Sequence, residues 1–131
     1  MQTATKPAFA SALARSFPAE PESATAARHF VVGVLESLVD EESVAVAALL
    51  TSELATNSVL HAGTAVDVEL TFTVDRVRIE VSDAHPTAPR RVDADPYGTF
   101  GRGLALVDAM SAEWGVSRRA AGKGVWFSID T

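Results

Sequence analysis

Two neighbouring stretches of strict hydrophobic alternation constrain the fold of this chain more than any other feature. Across residues 66–74 and 77–81 an apolar side chain occupies every second position, and polar or charged side chains fill the positions between. A period of two is typical of a β-strand with one buried and one wet face, an arrangement found in antiparallel sheets. Only Asp75 and Arg76 separate the two stretches, so the pattern predicts an antiparallel hairpin.

Helical periodicity precedes this hairpin. Apolar residues recur at steps of three and four between Ala24 and Leu38, which predicts an amphipathic helix ending near Val39. The acidic residues 40–42 suit the start of a second helix, because carboxylates stabilise a helix N-terminus. Residues 62–64, which include a glycine, end that helix.

Weaker patterns complete the predicted fold. Residues 9–17 suit a first strand, a short helix spans about 104–110, and a second hairpin joins 114–118 to 124–130 through a turn at 120–123. The order predicts a single α+β domain over residues 1–131. Its expected form is a two-layer sandwich, in which helices cover one face of a mixed, mostly antiparallel sheet.

Composition narrows the class of protein. A chain of 131 residues with 47% hydrophobic residues can bury a core as one domain. The net charge of −6 argues against direct nucleic-acid binding, and no apolar run approaches the ~18 residues of a membrane span. Without cysteine there is no disulfide, thiolate metal site or cysteine nucleophile. The alanine-rich start is broken by Ser11 and ends at Arg15, so we expect a cytoplasmic protein rather than a secreted one.

The second predicted helix carries two polar side chains on its apolar side. On a helical wheel, Glu53 and Asn57 project from the leucine side, one turn apart. A carboxylate turned inward destabilises the fold unless it is paired or hydrated. The leucine side holds Val46, Leu49, Leu50, Leu54 and Leu60, and the opposite side holds Ala48, Thr51, Ser52, Ala55 and Val59.

Two interpretations of this pair remain open on these residues alone. In the structural one, Glu53 meets an arginine and Asn57 caps a backbone group. In the functional one, this side of the helix borders a polar cavity. Asn57 then offers an amide oxygen to a hard cation such as Mg²⁺, which takes few protein oxygens, and Glu53 faces a reacting group.

Two further features lie downstream. Gly101-Arg102-Gly103-Leu104 directly precedes the predicted short helix, where glycines allow close approach and free amides bind phosphate, although glycines also simply make turns. Asp83 ends a predicted strand and is either a turn residue or an acceptor for an exocyclic amine. Between them lies a long aperiodic segment, residues 84–100, of a length that is more often functional than idle.

The order of these features resembles the GHKL ATPase superfamily, whose ATP site is the Bergerat fold. It is most similar to the anti-sigma-factor serine kinases and to short actinobacterial regulatory ATP-binding proteins. The resemblance covers nearly the whole chain. It is carried by residues 53–62 as the N box, by Asp83 with Pro86 and Pro89 as the first glycine-box position, by residues 101–107 as the second, and by residues 122–127 as the closing strand.

The resemblance implies a role for each residue of the site. Asn57 would hold Mg²⁺, Glu53 would act as general base, and Asp83 would accept a hydrogen bond from the adenine amino group. Gly101, Arg102, Gly103 and Leu104 would cradle the phosphates of ATP beneath a lid formed by residues 84–100.

Two departures from the family pattern bear on nucleotide affinity. The usual Asp-x-Gly-x-Gly is Asp83-Ala84-His85-Pro86-Thr87 here, without a glycine. The closing strand has Gly124 where the family usually carries threonine, so a hydroxyl that helps to fix the aspartate and the adenine is missing.

Three functions follow as expectations. The first is an anti-sigma-type serine/threonine protein kinase that binds Mg-ATP, phosphorylates an antagonist protein and holds a sigma factor in a partner-switching pathway. The second is a nucleotide-dependent binding switch without phosphotransfer, and the third is an interaction domain with a decayed pocket. Relatives often dimerise, so a homodimer is also among the expectations.

Overall fold

The computed structural model describes residues 11–84, 99–119 and 122–131. The predicted lid, residues 84–100, therefore lies almost entirely outside the described residues, and so does the start of the predicted first strand. The elements in chain order are β1 (Ser11–Phe17), α1 (Glu22–Leu35), α2 (Glu41–Asn57), a π-helical turn (Ser58–Ala62), β2 (Val66–Phe72), β3 (Arg76–Ser82), α3 (Thr99–Met110), β4 (Glu113–Arg119) and β5 (Gly122–Asp130).

The strands form one sheet in the order β1-β2-β3-β5-β4. The alternating stretches pair as β2 and β3 in the predicted antiparallel hairpin, with Leu70 opposite Ile79. Every pair among the described strands is antiparallel, so the expectation of a mixed sheet was wrong. Strand β4 runs in the same direction as β3, because the chain crosses over through α3 between these two strands. However, β5 lies between these two strands and runs opposite to both.

The helices cover one face of this sheet, as the sequence predicted. Val68, Ile79 and Phe127 point from neighbouring strands toward the helices and are fully or almost fully buried. Leu35 of α1 and Leu50 of α2 meet them in the same core. The opposite face is more polar, and there the Arg78 guanidinium lies 4.0 Å from the centre of the Trp126 ring.

Helix α2 and the π-helical turn together begin and end where the sequence predicted the second helix, but the buried side of α2 is wider. Thr51 and Ala55 are fully buried, whereas Leu49 and Leu60 are 38% and 65% exposed. The helical wheel gave α2 a single buried side, but this helix contacts α1 and α3 as well as the sheet. Small residues therefore face the neighbouring helices, and two of the leucines lie outside the contact.

The start of α2 is capped by Asp40, whose carboxylate accepts a 2.7 Å hydrogen bond from the backbone amide of Ser43. That bond stabilises the ionised form, so it lowers the pKa of Asp40 below its usual value. At the other end, the π-helical turn closes at Gly63, which adopts a left-handed φ of 67°. A residue of this kind commonly ends a helix.

By length and composition, the continuous helical segment Glu41–Ala62 could cross a membrane. In the folded chain this segment instead contacts α1, α3 and two strands, and its residues Leu50 and Leu54 belong to the core. The apolar character of α2 therefore has a structural explanation in the packing of the domain.

Three boundaries differ from the predicted ones. Helix α1 ends at Leu35 instead of near Val39. Helix α3 begins at Thr99, so Gly101 and Gly103 lie within its first two turns and not in front of it. Gly122 and Lys123 belong to strand β5 and not to the preceding turn.

Candidate functional site

A small cavity lies where the end of α2 meets the ends of β3 and β5. Its volume is about 30 Å³, which is enough space to hold a water molecule. Polar and apolar side chains both contribute to its wall. The described residues that line it are Leu54, Asn57, Ser58, His61, Val81, Asp83, Lys123, Gly124 and Val125.

Asn57 is the most unusual residue of this wall. It is only 3% exposed, and neither its Oδ1 nor its Nδ2 atom has a hydrogen-bond partner among the described residues. A buried amide left in this state destabilises the folded protein by about 1–3 kcal/mol. Asn57 therefore does not cap a backbone group, which removes the structural interpretation of this residue. Its amide is available to a ligand that enters the cavity.

Asp83 is held between two neighbouring elements. Its backbone amide donates a 2.9 Å hydrogen bond to the Lys123 carbonyl of β5. Its buried carboxylate accepts a 3.1 Å hydrogen bond from the Lys123 ammonium, as part of an ion pair. The next residue, Ala84, donates its backbone amide to the hydroxyl of Thr64. The aspartate that the sequence placed at the end of a strand therefore faces the same cavity as Asn57.

Lys123 is a member of this cavity that the sequence interpretation missed. Lys123 and Gly124 are adjacent in β5, so these two positions face opposite sides of the sheet. Lys123 points toward the helices. A Cβ atom added to Gly124 would instead lie 2.5 Å from a carboxylate oxygen of Glu80 on the other face. A hydroxyl at position 124 would thus point away from Asp83, and Lys123 is the residue of this strand that contacts the carboxylate.

Gly122 was also missed as a residue that the site requires. Its φ is 120°, a conformation that side chains rarely adopt. A Cβ atom here would collide with the carbonyl oxygen of Asp83. The glycine therefore permits the close backbone approach that sets Asp83 beside β5. The sequence signal for both residues was their place in the predicted closing strand, residues 122–127, but their partner, Asp83, lies far away in the chain.

The turn that follows α2 supplies the remaining polar wall. Residues Ser58–Ala62 form a π-helix, a wider helix that occurs mostly as single turns and often at functional sites. Ser58 and His61 of this turn line the cavity beside Asn57. The structure thus places His61, within the segment 53–62 singled out in the sequence, at the cavity.

Two further predicted site residues, Glu53 and Leu104, are not part of the described cavity wall. Glu53 lies one turn before Asn57 on α2 and is half-buried, but it is outside the described lining. Leu104 packs against the hydrophobic core. Gly101, Arg102 and Gly103 fall in the first turns of α3. The amides of the first four residues of a helix have no acceptor within it, so the backbone of Gly101 and Arg102 still offers donors.

The donor set at the cavity fits Mg²⁺ only in the presence of a further ligand. Within the described residues, no three histidine, cysteine, aspartate or glutamate side chains come together as a metal site. Asn57 offers one uncompensated amide oxygen. Mg²⁺ is commonly held by one or two protein oxygens while phosphates and water complete its shell. The buried amide therefore fits a metal that arrives together with a phosphate ligand.

The geometry of the chain agrees with a known family. Residues 17–129 match the family described as histidine kinase-like ATPase domain, and this match spans most of the chain. The protein therefore belongs to the histidine kinase-like ATPase domains, the GHKL type that its motifs resemble, a class in which ATP binding is the shared property. No curated protein matches the chain closely enough to serve as a relative.

Proposed function

We propose that this protein binds Mg-ATP at the cavity between α2, β3 and β5. The observation that carries the proposal is the buried amide of Asn57, whose oxygen and nitrogen both lack a partner within the part of the chain that the structure describes. A buried polar group without a partner destabilises the folded state. Its presence is explained if a ligand or ion supplies the missing interactions. Membership of the histidine kinase-like ATPase family supports ATP as that ligand.

Each of these residues would bind a different part of Mg-ATP. The oxygen of Asn57 would hold Mg²⁺, which in this class of site neutralises phosphate charge. The carboxylate of Asp83 would accept a hydrogen bond from the exocyclic amine of adenine. The N-terminal amides of α3, at Gly101 and Arg102, would donate to the phosphates, and Gly103 and Leu104 would continue that cradle.

The reaction that we propose is transfer of the γ-phosphoryl group to a serine or threonine hydroxyl. The oxygen of the hydroxyl forms the new bond to phosphorus, the bond to the β-phosphate oxygen breaks, and ADP leaves. Glu53 would accept the hydroxyl proton. Its place on α2, one turn before Asn57, supports this role, because it is fixed to the same rigid helix as the metal-binding residue.

The protein partner in this proposal is the antagonist of an anti-sigma system, or a sigma factor that the protein holds when the antagonist is absent. The action would be in the cytoplasm, and a homodimer is compatible with it. The motifs that resemble the anti-sigma-factor serine kinases support this assignment, in particular residues 53–62 and 101–107.

A second candidate is a nucleotide-dependent binding switch that transfers no phosphate. One observation favours it: Glu53 is outside the described lining of the cavity, although it is the proposed base. A switch needs Asn57 and Asp83 for the nucleotide but has no use for Glu53 as a base.

Two measurements test these functions in order. Calorimetric titration with Mg-ATP tests binding, and the absence of heat and of any thermal shift at millimolar nucleotide would refute the ATP site. A transfer assay with γ-labelled ATP and the protein that co-purifies with this chain then separates the two candidates. Label on the partner supports the kinase, whereas tight binding of ATP without label on the partner supports the switch.

A further inference from the structure

The ammonium of Lys123 donates to the same carboxylate that the proposed site assigns to the purine amine. Lys123 extends from β5 on the helix side of the sheet, and its Nζ atom lies 3.1 Å from Oδ2 of Asp83. The Asp83 side chain is only 4% exposed and that of Lys123 is 20% exposed. A buried carboxylate needs a donor nearby, and in this structure the chain itself supplies one.

The cavity between the described residues is small compared with the sites that usually hold a small ligand. The cavity measures about 30 Å³, whereas sites for small ligands usually hold about 300–1,000 Å³. Most of its wall is fixed, because Leu54 and Asn57 belong to a packed helix and Val81 and Val125 to paired strands. Lys123 is different, since its charge sits on a flexible four-carbon stem that reaches partly into solvent. Its side chain can therefore swing toward solvent without a change in the backbone of β5.

We propose that Lys123 is a gate to the base pocket and that the exocyclic amine of the entering base replaces its ammonium at Asp83. This inference rests on the proposed ATP site and adds a built-in competitor to it. The replacement exchanges one donor for another at the same carboxylate, and it moves the lysine charge toward solvent. Affinity for ATP is therefore set partly by the free energy of separating Lys123 from Asp83.

The decisive variant is Lys123→Met, which removes the ammonium and keeps most of the apolar stem. The matched ligands are ATP and ITP, because ITP carries a carbonyl where adenine carries its amine. All titrations should be run at the same pH and the same salt concentration. We expect the variant to bind ATP about fivefold or more tightly than the wild type. Binding of ITP should not improve.

Two further variants complete the experiment. Arg118→Met removes a cation from the residue of β4 that is paired with Lys123, and it should leave both affinities unchanged. Lys123→Gln keeps a neutral donor beside Asp83, so it should give a smaller gain for ATP. It also replaces Lys123→Met if thermal unfolding shows that the latter does not fold.

The outcomes separate the gate from the proposed function. Weaker ATP binding by Lys123→Met would overturn the gate, because Lys123 would then be orienting Asp83 for the base. Equal gains for ATP and ITP would also overturn it, since Lys123 would only be filling space. In both cases the ATP site itself stands. If neither the wild type nor any variant binds nucleotide, the proposed function and the gate fall together.

Discussion

Asp83 and Lys123 are joined twice, once through the backbone and once through their side chains. The amide of Asp83 donates to the carbonyl of Lys123 at 2.9 Å, and the Lys123 ammonium meets the Asp83 carboxylate at 3.1 Å. The first bond extends the β3–β5 pairing one step past the end of β3, and the second closes the cavity beside Asn57. The carboxylate therefore has a defined position before any ligand arrives, and the residues that permit this position can be tested.

Gly122 is the first of them. Changing Gly122→Ala should lower the free energy of unfolding by about 2 kcal/mol or more, because the new Cβ would meet the Asp83 carbonyl at a left-handed φ. The matched control is Gly33→Ala in α1, where the added Cβ meets no atom within 4 Å. That change should stabilise the protein by about 0.5–1 kcal/mol. Denaturant unfolding measures both, and an unaltered stability of Gly122→Ala would contradict the close approach.

The second prediction concerns Asn57, where one substitution should increase stability and abolish ligand binding. Replacing the unsatisfied amide in Asn57→Leu should raise the free energy of unfolding by about 1 kcal/mol, since an uncompensated buried polar group is removed. The same change should abolish metal-dependent binding of ATP. Thr51→Val is the control, because Thr51 also buries a hydroxyl without a partner but lies outside the described cavity wall. It should gain stability and keep its ATP affinity; loss of binding in both variants would argue against a specific role for Asn57.

The third prediction concerns Glu53. Glu53→Gln should keep the ATP affinity within a few-fold, while phosphate transfer to the partner falls about a hundredfold. The reason is that loss of a general base slows the chemical step without removing a contact to the nucleotide. Glu42→Gln, in the exposed first turn of the same helix, should change neither quantity. Parallel titrations and transfer assays on the two variants decide, and an undiminished transfer rate in Glu53→Gln would exclude it as the base.

The fourth prediction concerns the stability of the protein at acidic pH. The hydrogen bond from Ser43 lowers the folded-state pKa of Asp40 below its unfolded value of about 3.8. Its stabilisation is therefore complete above about pH 3.8 and is lost as the pH falls through the lower, folded-state pKa. Asp40→Ala should unfold at a lower temperature than the wild type at neutral pH, and this difference should shrink in acid.

The control for this cap is Asp40→Asn, which can still accept the bond but carries no charge. It should stay close to the wild type at neutral pH and lack the pH dependence that comes from Asp40. Thermal unfolding followed across the acid range compares the three proteins. A constant difference between the wild type and Asp40→Ala would show that the capping bond does not depend on ionisation.

Much of the fold could be predicted from local patterns. The alternation in residues 66–74 and 77–81 fixed the paired strands β2 and β3, because a period of two assigns each side chain to one face. Asp40 and Gly63 marked the ends of the helical segment through the chemistry of capping. The placement of Asn57 on the inner side of that segment, and of Asp83 just after a strand, follows from the same local reasoning.

The tertiary structure decided what depends on contacts between distant segments. It placed β5 between β3 and β4, buried Thr51 completely, and brought Lys123 to Asp83 across 40 positions of the chain. Periodicity states which side of an element is apolar, but it carries no information on which distant element packs there or in which register. The sequence by itself therefore determined the class of the domain and the location of Asn57 and Asp83. The shape of the pocket and the residue that fills it were settled only by the pairing of β3 with β5, since that pairing sets which side chains share the cavity.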